Sequence, residues 1–199
     1  MNIFIVYCHP SDISFTFQVK NEFIRGLKDA GHSYEISDLY KMNFNADFSE
    51  REYLREGFYA EEKELDVDVI QEQRKIQNAD AIVFIYPLFW TEAPARLVGW
   101  FDRVWTCGFA YGNYPKMRLL EKALCIITTG KTLDALKQTG EDQAISTVML
   151  GDRIRNRAKQ KDIVFFDGTS RWNMAQRNEN IPKHLARAYL LGLNIRGTL

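Results

Sequence analysis

The sequence lacks several features that would assign a function class at once. It carries 26 basic and 26 acidic residues, so it has no charge excess for nucleic acid or an anionic membrane. No apolar run approaches the roughly 20 residues that a membrane-spanning helix needs. The opening segment, MNIFIVYCHP, has no basic region and no small-residue cleavage site, so we expect no signal peptide and no membrane insertion.

Cysteine is scarce, and its spacing does not suggest a metal site. Cys8, Cys107 and Cys125 are odd in number and far apart in sequence. Each lies in or beside an apolar segment, where a cysteine usually acts as a small core residue. We therefore expect free thiols, no metal ion, and a reducing, cytoplasmic location.

Glycine is missing from the place where a dinucleotide-binding Rossmann fold needs it. The apolar strand predicted at 2–7 is followed by CHPSDISFT, which contains no glycine, so the G-x-G-x-x-G signature is absent. Polar residues instead precede a helix, and a helix N-terminus offers free N–H groups that can hold a phosphate. The alternative is that Ser11 or Ser14 only caps the helix.

Strand and helix patterns alternate along the chain. Strands are predicted at 2–7, 33–38, 80–86, 122–129 and 162–166, because these runs are short and apolar. Helices are predicted from Phe15 to Leu27 and at 67–79, 94–105, 140–160 and 182–193, with short helices within 50–64. This alternation predicts a single α/β domain over residues 1–199, with a doubly wound parallel sheet of five strands and helices on both faces.

The most informative segment runs from residue 81 to residue 111. It begins as a buried strand, turns through Pro87-Leu88-Phe89-Trp90, and enters a helix at Pro94. The turn therefore puts two aromatic residues at the carboxyl edge of a strand, where open α/β sheets bind ligands. A flat ring with polar edges, such as an isoalloxazine, suits that environment. A buried strand followed by a core helix is the alternative, but it does not explain aromatic residues at the turn, which would ordinarily be polar.

These segments together resemble the NAD(P)H:quinone oxidoreductase (DT-diaphorase) family, whose members are flavodoxin-like flavoproteins. The matching segments are His9 with Ser14-Phe15, 37–45, Pro87 to Trp90, 94–104, 108–111 and 128–130. They cover roughly the first two-thirds of the chain, whose length resembles that of the short bacterial members. The resemblance implies the sheet order 2-1-3-4-5, which would place the loops after strands 1, 3 and 4 side by side.

The resemblance also implies a cofactor, a set of site residues and a reaction. It implies that the chain binds FAD or FMN. The phosphate and ribityl chain would lie near His9, Ser14, Phe15 and Thr16, and the isoalloxazine beside Pro87, Leu88, Phe89 and Trp90. The pyrimidine edge of the flavin would lie at Thr128, Thr129 and Gly130. Tyr111 is implied at the substrate mouth as the catalytic candidate, with an aromatic packing role as the alternative. The implied reaction transfers a hydride from NAD(P)H to flavin N5 and then two electrons to a quinone, in a homodimer.

The sequence departs from that family after Gly130. Mammalian quinone reductases carry a Tyr and a His there, which are thought to stabilise the reduced flavin, whereas this chain has Leu136 and Asp142 at those positions. Lys131 is the candidate replacement, and the departure bears on the quinone preference more than on the flavin.

Two other functions stay open: an electron-carrier flavodoxin, which a neutral charge disfavours, and an ancillary regulatory subunit of a potassium efflux transporter.

The helix predicted at 94–105 has apolar residues on more than one face. Leu97 and Phe101 share one face, whereas Trp100 and Val104 turn away from it. A helix that packs only on its own sheet needs a single apolar stripe. The surplus predicts a homodimer contact at this helix, and the alternative is that segment 51–63 folds over it within one chain.

Overall fold

The computed structural model describes residues 1–197 and contains one parallel sheet of five strands. The strands are β1 (Asn2–Tyr7), β2 (Ser33–Asp38), β3 (Ala81–Pro87), β4 (Leu120–Thr128) and β5 (Ala158–Phe166). Their order is β2-β1-β3-β4-β5, and every neighbouring pair is parallel. The predicted flavodoxin-like order is therefore confirmed.

Helices cover both faces of this sheet. They are α1 (Phe15–Asp29), α2 (Glu50–Gly57), α3 (Val67–Asn78), α4 (Ala95–Val104), α5 (Leu133–Thr139), α6 (Glu141–Ser146) and α7 (Met174–Leu193), with a π-helix, π1 (Thr147–Ile154), before β5. One apolar cluster joins the sheet to α1 and α7, and another joins it to α3, α4 and π1. Within residues 1–197, no helix is both long and apolar enough to span a membrane.

Strand β3 shows why the central strands have continuous apolar sequences. Val83 and Ile85 point into the cluster with α1 and α7, whereas Phe84 and Tyr86 point into the cluster with α4. Successive side chains of a strand face opposite sides of a sheet, so a strand covered on both sides must be apolar at every position.

Two glycines allow α1 and α7 to cross at close range. A Cβ added to Gly26 would collide with the backbone carbonyl of Tyr189, and one added to Gly192 would collide with the carbonyl of Phe23. No side chain fits at either position without separating the helices. The crossing therefore fixes α7 over α1 and holds the loop that follows β5 near the start of α1.

The structure corrects the predicted helix at 140–160. Helix α5 begins earlier, at Leu133, and ends at Thr139, because the next residue, Gly140, has a left-handed φ of 73° that suits glycine. The chain then continues through α6 and π1, and β5 begins at Ala158 because that residue pairs with Leu120. The fifth strand is thus longer than predicted at its start, and its pairing with β4 decides where the helix must end.

The last helix is also longer than predicted, since it starts at Met174 and not at 182. The side chain of Asn173 caps it by accepting the N–H of Gln176 at 3.2 Å. Pro182 lies inside the helix and not at its first turn. The proline was therefore a misleading start signal, and the asparagine was the correct one.

The apolar surplus of α4 is covered within the chain. Trp100 is fully buried against Phe84 and donates its indole N–H to the carboxylate of Glu72 on α3 at 2.8 Å. On another side of α4, Gly99 lies so close to the backbone of Ala46 that a Cβ would not fit. The surplus predicted from the sequence therefore has partners in the same subunit and no longer argues for a dimer.

A buried arginine on α4 holds the α2 segment in place. The guanidinium of Arg103 donates to Glu52 at 2.6 Å, to Asp68 at 2.5 and 3.0 Å, and to Asp66 at 3.1 Å. Burial alone would raise the pKa of Glu52, but hydrogen bonds from Ser49 and Arg103 outweigh it and keep that pKa below its ordinary value. The cluster ties the start of α2 and the start of α3 to the last turn of α4.

We predict that Arg103→Met destabilises the fold by about 3–5 kcal/mol, because it leaves carboxylates such as that of Glu52 without their buried counter-charge. Urea unfolding followed by circular dichroism measures this change. Arg25→Met is the matched control, because Arg25 pairs with Glu22 on the exposed side of α1 and should leave the urea midpoint unchanged. Equal midpoints for the two variants would contradict a central role for Arg103.

Candidate functional site

The carboxyl ends of the strands form a cleft of about 400 Å³. Loops after β1, β3, β4 and β5 contribute to it, as the strand order requires. Its lining includes ten of the eleven residues predicted to contact the cofactor, namely His9, Ser14, Phe15, Thr16, Pro87, Leu88, Phe89, Thr128, Thr129 and Gly130. The remaining one, Trp90, is adjacent in sequence but does not line the cleft.

The N-terminus of α1 opens into this cleft with two free donors. Ser14 caps the helix, because its backbone is extended and its Oγ accepts the N–H of Phe17 at 3.0 Å. The N–H groups of Phe15 and Thr16 have no hydrogen-bond partner among the described residues. Capping and anion binding, the two alternatives from the sequence, are thus compatible, since the cap uses one donor and leaves two for a ligand.

His9 offers a third donor at the same end of the cleft. Its Nδ1 accepts the N–H of Ser11 at 2.9 Å, so in the neutral ring the proton resides on Nε2. Burial lowers the pKa of His9 below its ordinary value, which keeps the ring neutral near pH 7. His9 is therefore an uncharged N–H donor in this arrangement.

Hydroxyl groups tie the β1 and β4 loops together at the floor of the cleft. The hydroxyls of Thr16 and Thr128 are 2.7 Å apart, and both residues are buried. This bond fixes the first turn of α1 against the end of β4. The position of the free N–H groups is therefore set by the sheet and not by a mobile loop.

The turn after β3 is more closed than its sequence suggests. Leu88 donates its N–H to Thr128 at 2.8 Å, and Phe89 and Glu92 exchange backbone hydrogen bonds of 2.9 and 3.1 Å. Among the described residues, the N–H groups of Trp90 and Thr91 are the donors of this turn without a partner. Fewer backbone donors are available to a ligand here than the sequence led us to expect.

Trp90 lies at the tip of that turn and is 96% exposed. Its φ of 58° is in the left-handed region, which is uncommon for a bulky residue and marks local strain. A role in the core of the subunit is thus excluded. An indole held outside the core in a strained conformation is available to a ligand or to another subunit.

The loop after β4 approaches the loop after β5 closely. An added Cβ at Gly130 would lie 3.3 Å from the Cβ of Ser170, so glycine keeps this approach open. The ammonium of Lys131 binds Glu141 at 2.7 Å, and Lys131 does not line the cleft. The suggested replacement of the family's Tyr and His by Lys131 therefore has no support in the geometry.

Sequence reasoning missed two cations that follow β5, Arg171 in the loop and Arg177 in the first turn of α7. Arg171 and Arg177 line the cleft beside Thr169, whose hydroxyl donates to the carbonyl of Thr129 at 2.9 Å. Arg177 also donates to the carbonyl of Thr169 and so fixes the loop. The available signal was positional: both arginines follow the fifth strand, at the edge where the other site loops lie.

Tyr111 lies outside the cleft. It lines a separate cavity of about 560 Å³, and its hydroxyl donates to Glu56 Oε2 at 2.6 Å. The same carboxylate oxygen accepts the N–H of Cys107 at 2.6 Å, which fixes the turn that carries Tyr111. Burial and the hydrogen bond to the Glu56 carboxylate raise the pKa of Tyr111 above its ordinary value. Within one subunit, Tyr111 and the predicted cofactor residues form two different sites.

Comparison with known proteins assigns the family. A sequence model described as "Flavodoxin-like fold" matches residues 1–189. Ribosyldihydronicotinamide dehydrogenase [quinone] of Rattus norvegicus is 36% identical over an alignment of 155 residues, and the match covers 69% of this chain and 67% of the relative. The chain belongs to the quinone oxidoreductase family of flavodoxin-like proteins.

Solved structures of related proteins agree with this family. An NAD(P)H:quinone oxidoreductase from Methanothermobacter marburgensis is 40% identical, with a TM-score of 0.91 over 100% of this chain and 98% of that one. A Bacillus anthracis FMN-dependent NADH-azoreductase, solved in complex with FMN, shares the fold alone at 18% identity and a TM-score of 0.65, covering 96% of this chain and 99% of that one. The family is thus one of oxidoreductases.

Neither of the two positions after Gly130 at which the resemblance implies a departure lines the cleft. Leu136 is buried, and Asp142 on α6 lies outside the cleft. Within residues 1–197, the cleft lining contains His9 as its one titratable ring and two arginines, Arg171 and Arg177, as its cations. Charge stabilisation at this site would therefore come from groups other than a tyrosine and histidine pair.

Proposed function

We propose that this chain is a flavin-dependent NAD(P)H oxidoreductase that passes two electrons to a quinone or a similar acceptor, as a single domain of residues 1–199. The observation that carries this proposal is the pair of unpartnered N–H groups at Phe15 and Thr16. They open into the same cleft as the aromatic turn and the end of β4. Membership of the quinone oxidoreductase family supports the same assignment.

The phosphate end of the flavin would bind at the start of α1. The N–H groups of Phe15 and Thr16 and the Nε2–H of His9 supply donors without a formal charge. Arg171 and Arg177 line the same cleft and supply positive charge. Either FMN or FAD fits this donor set, and the resemblance to DT-diaphorase favours FAD.

The ring end of the flavin would lie between the β3 and β4 loops. A bound flavin supplies the chemistry itself, since it accepts a hydride from NAD(P)H at N5 and delivers two electrons to the acceptor. Pro87, Leu88 and Phe89 would hold one side of the ring, while Thr129 and Gly130 would orient its pyrimidine edge. Trp90 would shield the ring from water, because it is exposed next to this position.

No feature of the structure specifically favours either alternative function. The electron-carrier and transporter-subunit hypotheses both predict a flavodoxin-like fold, and the two arginines that line the cleft suit a flavin phosphate under any of these functions. A cytoplasmic location stays a prediction, supported by three buried free thiols, of which Cys8 has its pKa raised by burial to about 12. A buried, protonated thiol of this kind is a core residue and not a redox centre.

We predict that the purified protein shows flavin absorbance and oxidises NADH or NADPH only when a quinone such as menadione is present. Mass spectrometry of the heat-released cofactor identifies FMN or FAD. Colourless protein that binds neither flavin in a titration would contradict the proposal. A flavin-loaded protein that exchanges single electrons with a partner, without reducing menadione, would favour the carrier alternative.

We predict that Trp90→Ala weakens flavin binding about tenfold, since an aromatic contact contributes roughly 0.5–1.5 kcal/mol beyond area burial. The unfolding free energy of the flavin-free monomer, measured below the concentration at which the protein dimerises, should change by less than about 0.5 kcal/mol, because the side chain is exposed in the single subunit. Fluorescence titration and urea unfolding measure the two effects. Unchanged flavin affinity would separate Trp90 from the cofactor site.

Exposed tryptophans near the cleft support the proposed homodimer. Trp90 is 96% exposed and Trp172 is 99% exposed, and each directly follows a residue that lines the cleft. Tryptophan is enriched in protein–protein interfaces relative to the rest of a protein surface. A twofold contact here would place two clefts near one interface.

We predict that light scattering at micromolar concentration gives twice the 23.2 kDa mass of one chain. Trp172→Ser and Trp90→Ser should each shift the protein towards monomer, because each removes an apolar contact from the proposed interface. Tyr53→Ser, on the exposed side of α2, is the control and should not. A monomeric wild-type protein with full activity at the same concentration would rule out the dimer.

A further inference from the structure

A row of three polar side chains on α7 faces the loop 167–169, which follows β5. Arg177, Asn180 and His184 are spaced by three and four residues, so they lie on one side of the helix. Arg177 donates to the last carbonyl of the loop, and Asn180 donates to the middle one at 3.3 Å and to the first at 3.4 Å. The ring of His184 donates to the first carbonyl at 2.8 Å. The row therefore holds three successive residues of this loop.

His184 is the buried member of the row, and its ring lies between α1 and β5. It stacks on the ring of Phe166, with 5.0 Å between the ring centres and an angle of 7° between the planes, and it lies 6.0 Å from the ring of Phe15. Because a carbonyl oxygen can only accept, the Nε2 that faces Asp167 carries the proton. His184 thus joins the first turn of α1 to the loop after β5.

Asn180 approaches the loop so closely that no side chain fits opposite it. A Cβ added to Gly168 would lie 2.6 Å from the Nδ2 of Asn180, and the φ of Gly168 is 61°, a conformation that favours glycine. The two N–H groups of the Asn180 amide face the carbonyls of Asp167 and Gly168. This position requires a donor, since an acceptor of the same shape would face two carbonyl oxygens.

The loop 167–169 in turn holds the residues that follow β4. Its last residue donates its N–H and its hydroxyl to the carbonyl of Thr129 at 3.2 and 2.9 Å, and its middle residue donates its N–H to the carbonyl of Lys131 at 2.8 Å. Gly130 lies between these two anchored residues and lines the cleft at the carboxyl edge of the sheet. Its N–H has no hydrogen-bond partner within residues 1–197. The position of that free donor is therefore fixed from both sides.

We propose that Asn180 and His184 are positioning residues for the flavin, although neither lines the cleft. They hold the loop 167–169 by its carbonyls, and the loop holds the N–H of Gly130 toward the pyrimidine edge of the ring. A binding site keeps its geometry where further hydrogen bonds fix the residues that contact the ligand. This inference rests on the proposed flavin-dependent function and extends its site to one face of α7.

Amide hydrogen exchange of the flavin-free protein tests the step from α7 to the β4 loop. We expect Asn180→Asp to speed exchange about tenfold in segments 167–169 and 129–133, with β1 unchanged, because a carboxylate cannot donate to the loop carbonyls. Lys183→Gln is the matched control, since Lys183 pairs with Glu179 at 2.6 Å on the exposed side of the same helix. Unchanged exchange in Asn180→Asp, or an equal increase in β1, would overturn the proposal.

Two variants of His184 separate positioning from packing. His184→Gln keeps an N–H donor for the loop and loses the stacked ring, whereas His184→Leu keeps apolar packing against Phe166 and loses the donor. We expect flavin binding about tenfold weaker in His184→Leu and less than about threefold weaker in His184→Gln. The flavin-free protein should nevertheless melt at the higher temperature with leucine, because a buried amide is costly. Flavin affinities that follow the melting temperatures would overturn the proposal.

The reduction potential of the bound flavin tests the position of the Gly130 donor. Donors at the pyrimidine edge stabilise the charge that the ring gains on reduction, so a displaced donor should lower the potential. We expect a potential below the wild-type value in His184→Leu and close to it in His184→Gln, which carries the same charge. Equal potentials in these two variants would overturn the proposal.

Failure of this inference and failure of the proposed function give different results. A wild-type protein that binds neither FMN nor FAD would overturn both. A wild-type protein that binds flavin, with the same affinity and potential in His184→Leu and the same exchange in Asn180→Asp, would overturn only the positioning by α7.

Discussion

The parallel pairing of β1 with β3 is the constraint on which the rest of the structure depends. Strand β2 pairs with one edge of β1, and β3 pairs with the other edge. The connections that leave β1 and β3 therefore run in opposite directions, which leaves a crevice at the carboxyl ends of these strands. The N-terminus of α1 must open into that crevice, because α1 directly follows β1. The bond between the hydroxyls of Thr16 and Thr128 then fixes the helix start against β4, and the free donors of the first turn acquire a defined position.

Much of this arrangement could be predicted from the sequence, since it depends on local patterns. Apolar runs identified the five strands, their alternation with helices predicted a parallel sheet, and the family resemblance implied the strand order that the structure confirms. Ten of the eleven expected cofactor residues line one cleft because they follow strands whose carboxyl ends meet there. Arg171 and Arg177 were missed because the family resemblance ended before them, and because the closing helix was predicted to begin at Pro182 and not after Asn173.

The parts that could not be predicted depend on contacts between distant segments. The sequence 140–160 has a helical pattern, but β4 pairs with Ala158 and converts its end into a strand. The basic residues from Arg153 to Lys161 therefore lie in different settings: Arg153 and Arg157 pack on aromatic rings, whereas Lys159 lies on β5. No local signal marks the positive φ of Trp90 or Arg155, because neither residue type favours it.

The central claim is that the first turn of α1 holds the phosphate of a flavin, and a crystal structure of the protein with its flavin tests it most directly. We expect phosphate oxygens within about 2.7–3.2 Å of the backbone nitrogens of Phe15 and Thr16, with the isoalloxazine beside Phe89. A flavin whose phosphate binds elsewhere, with those two N–H groups facing only water, would contradict the claim.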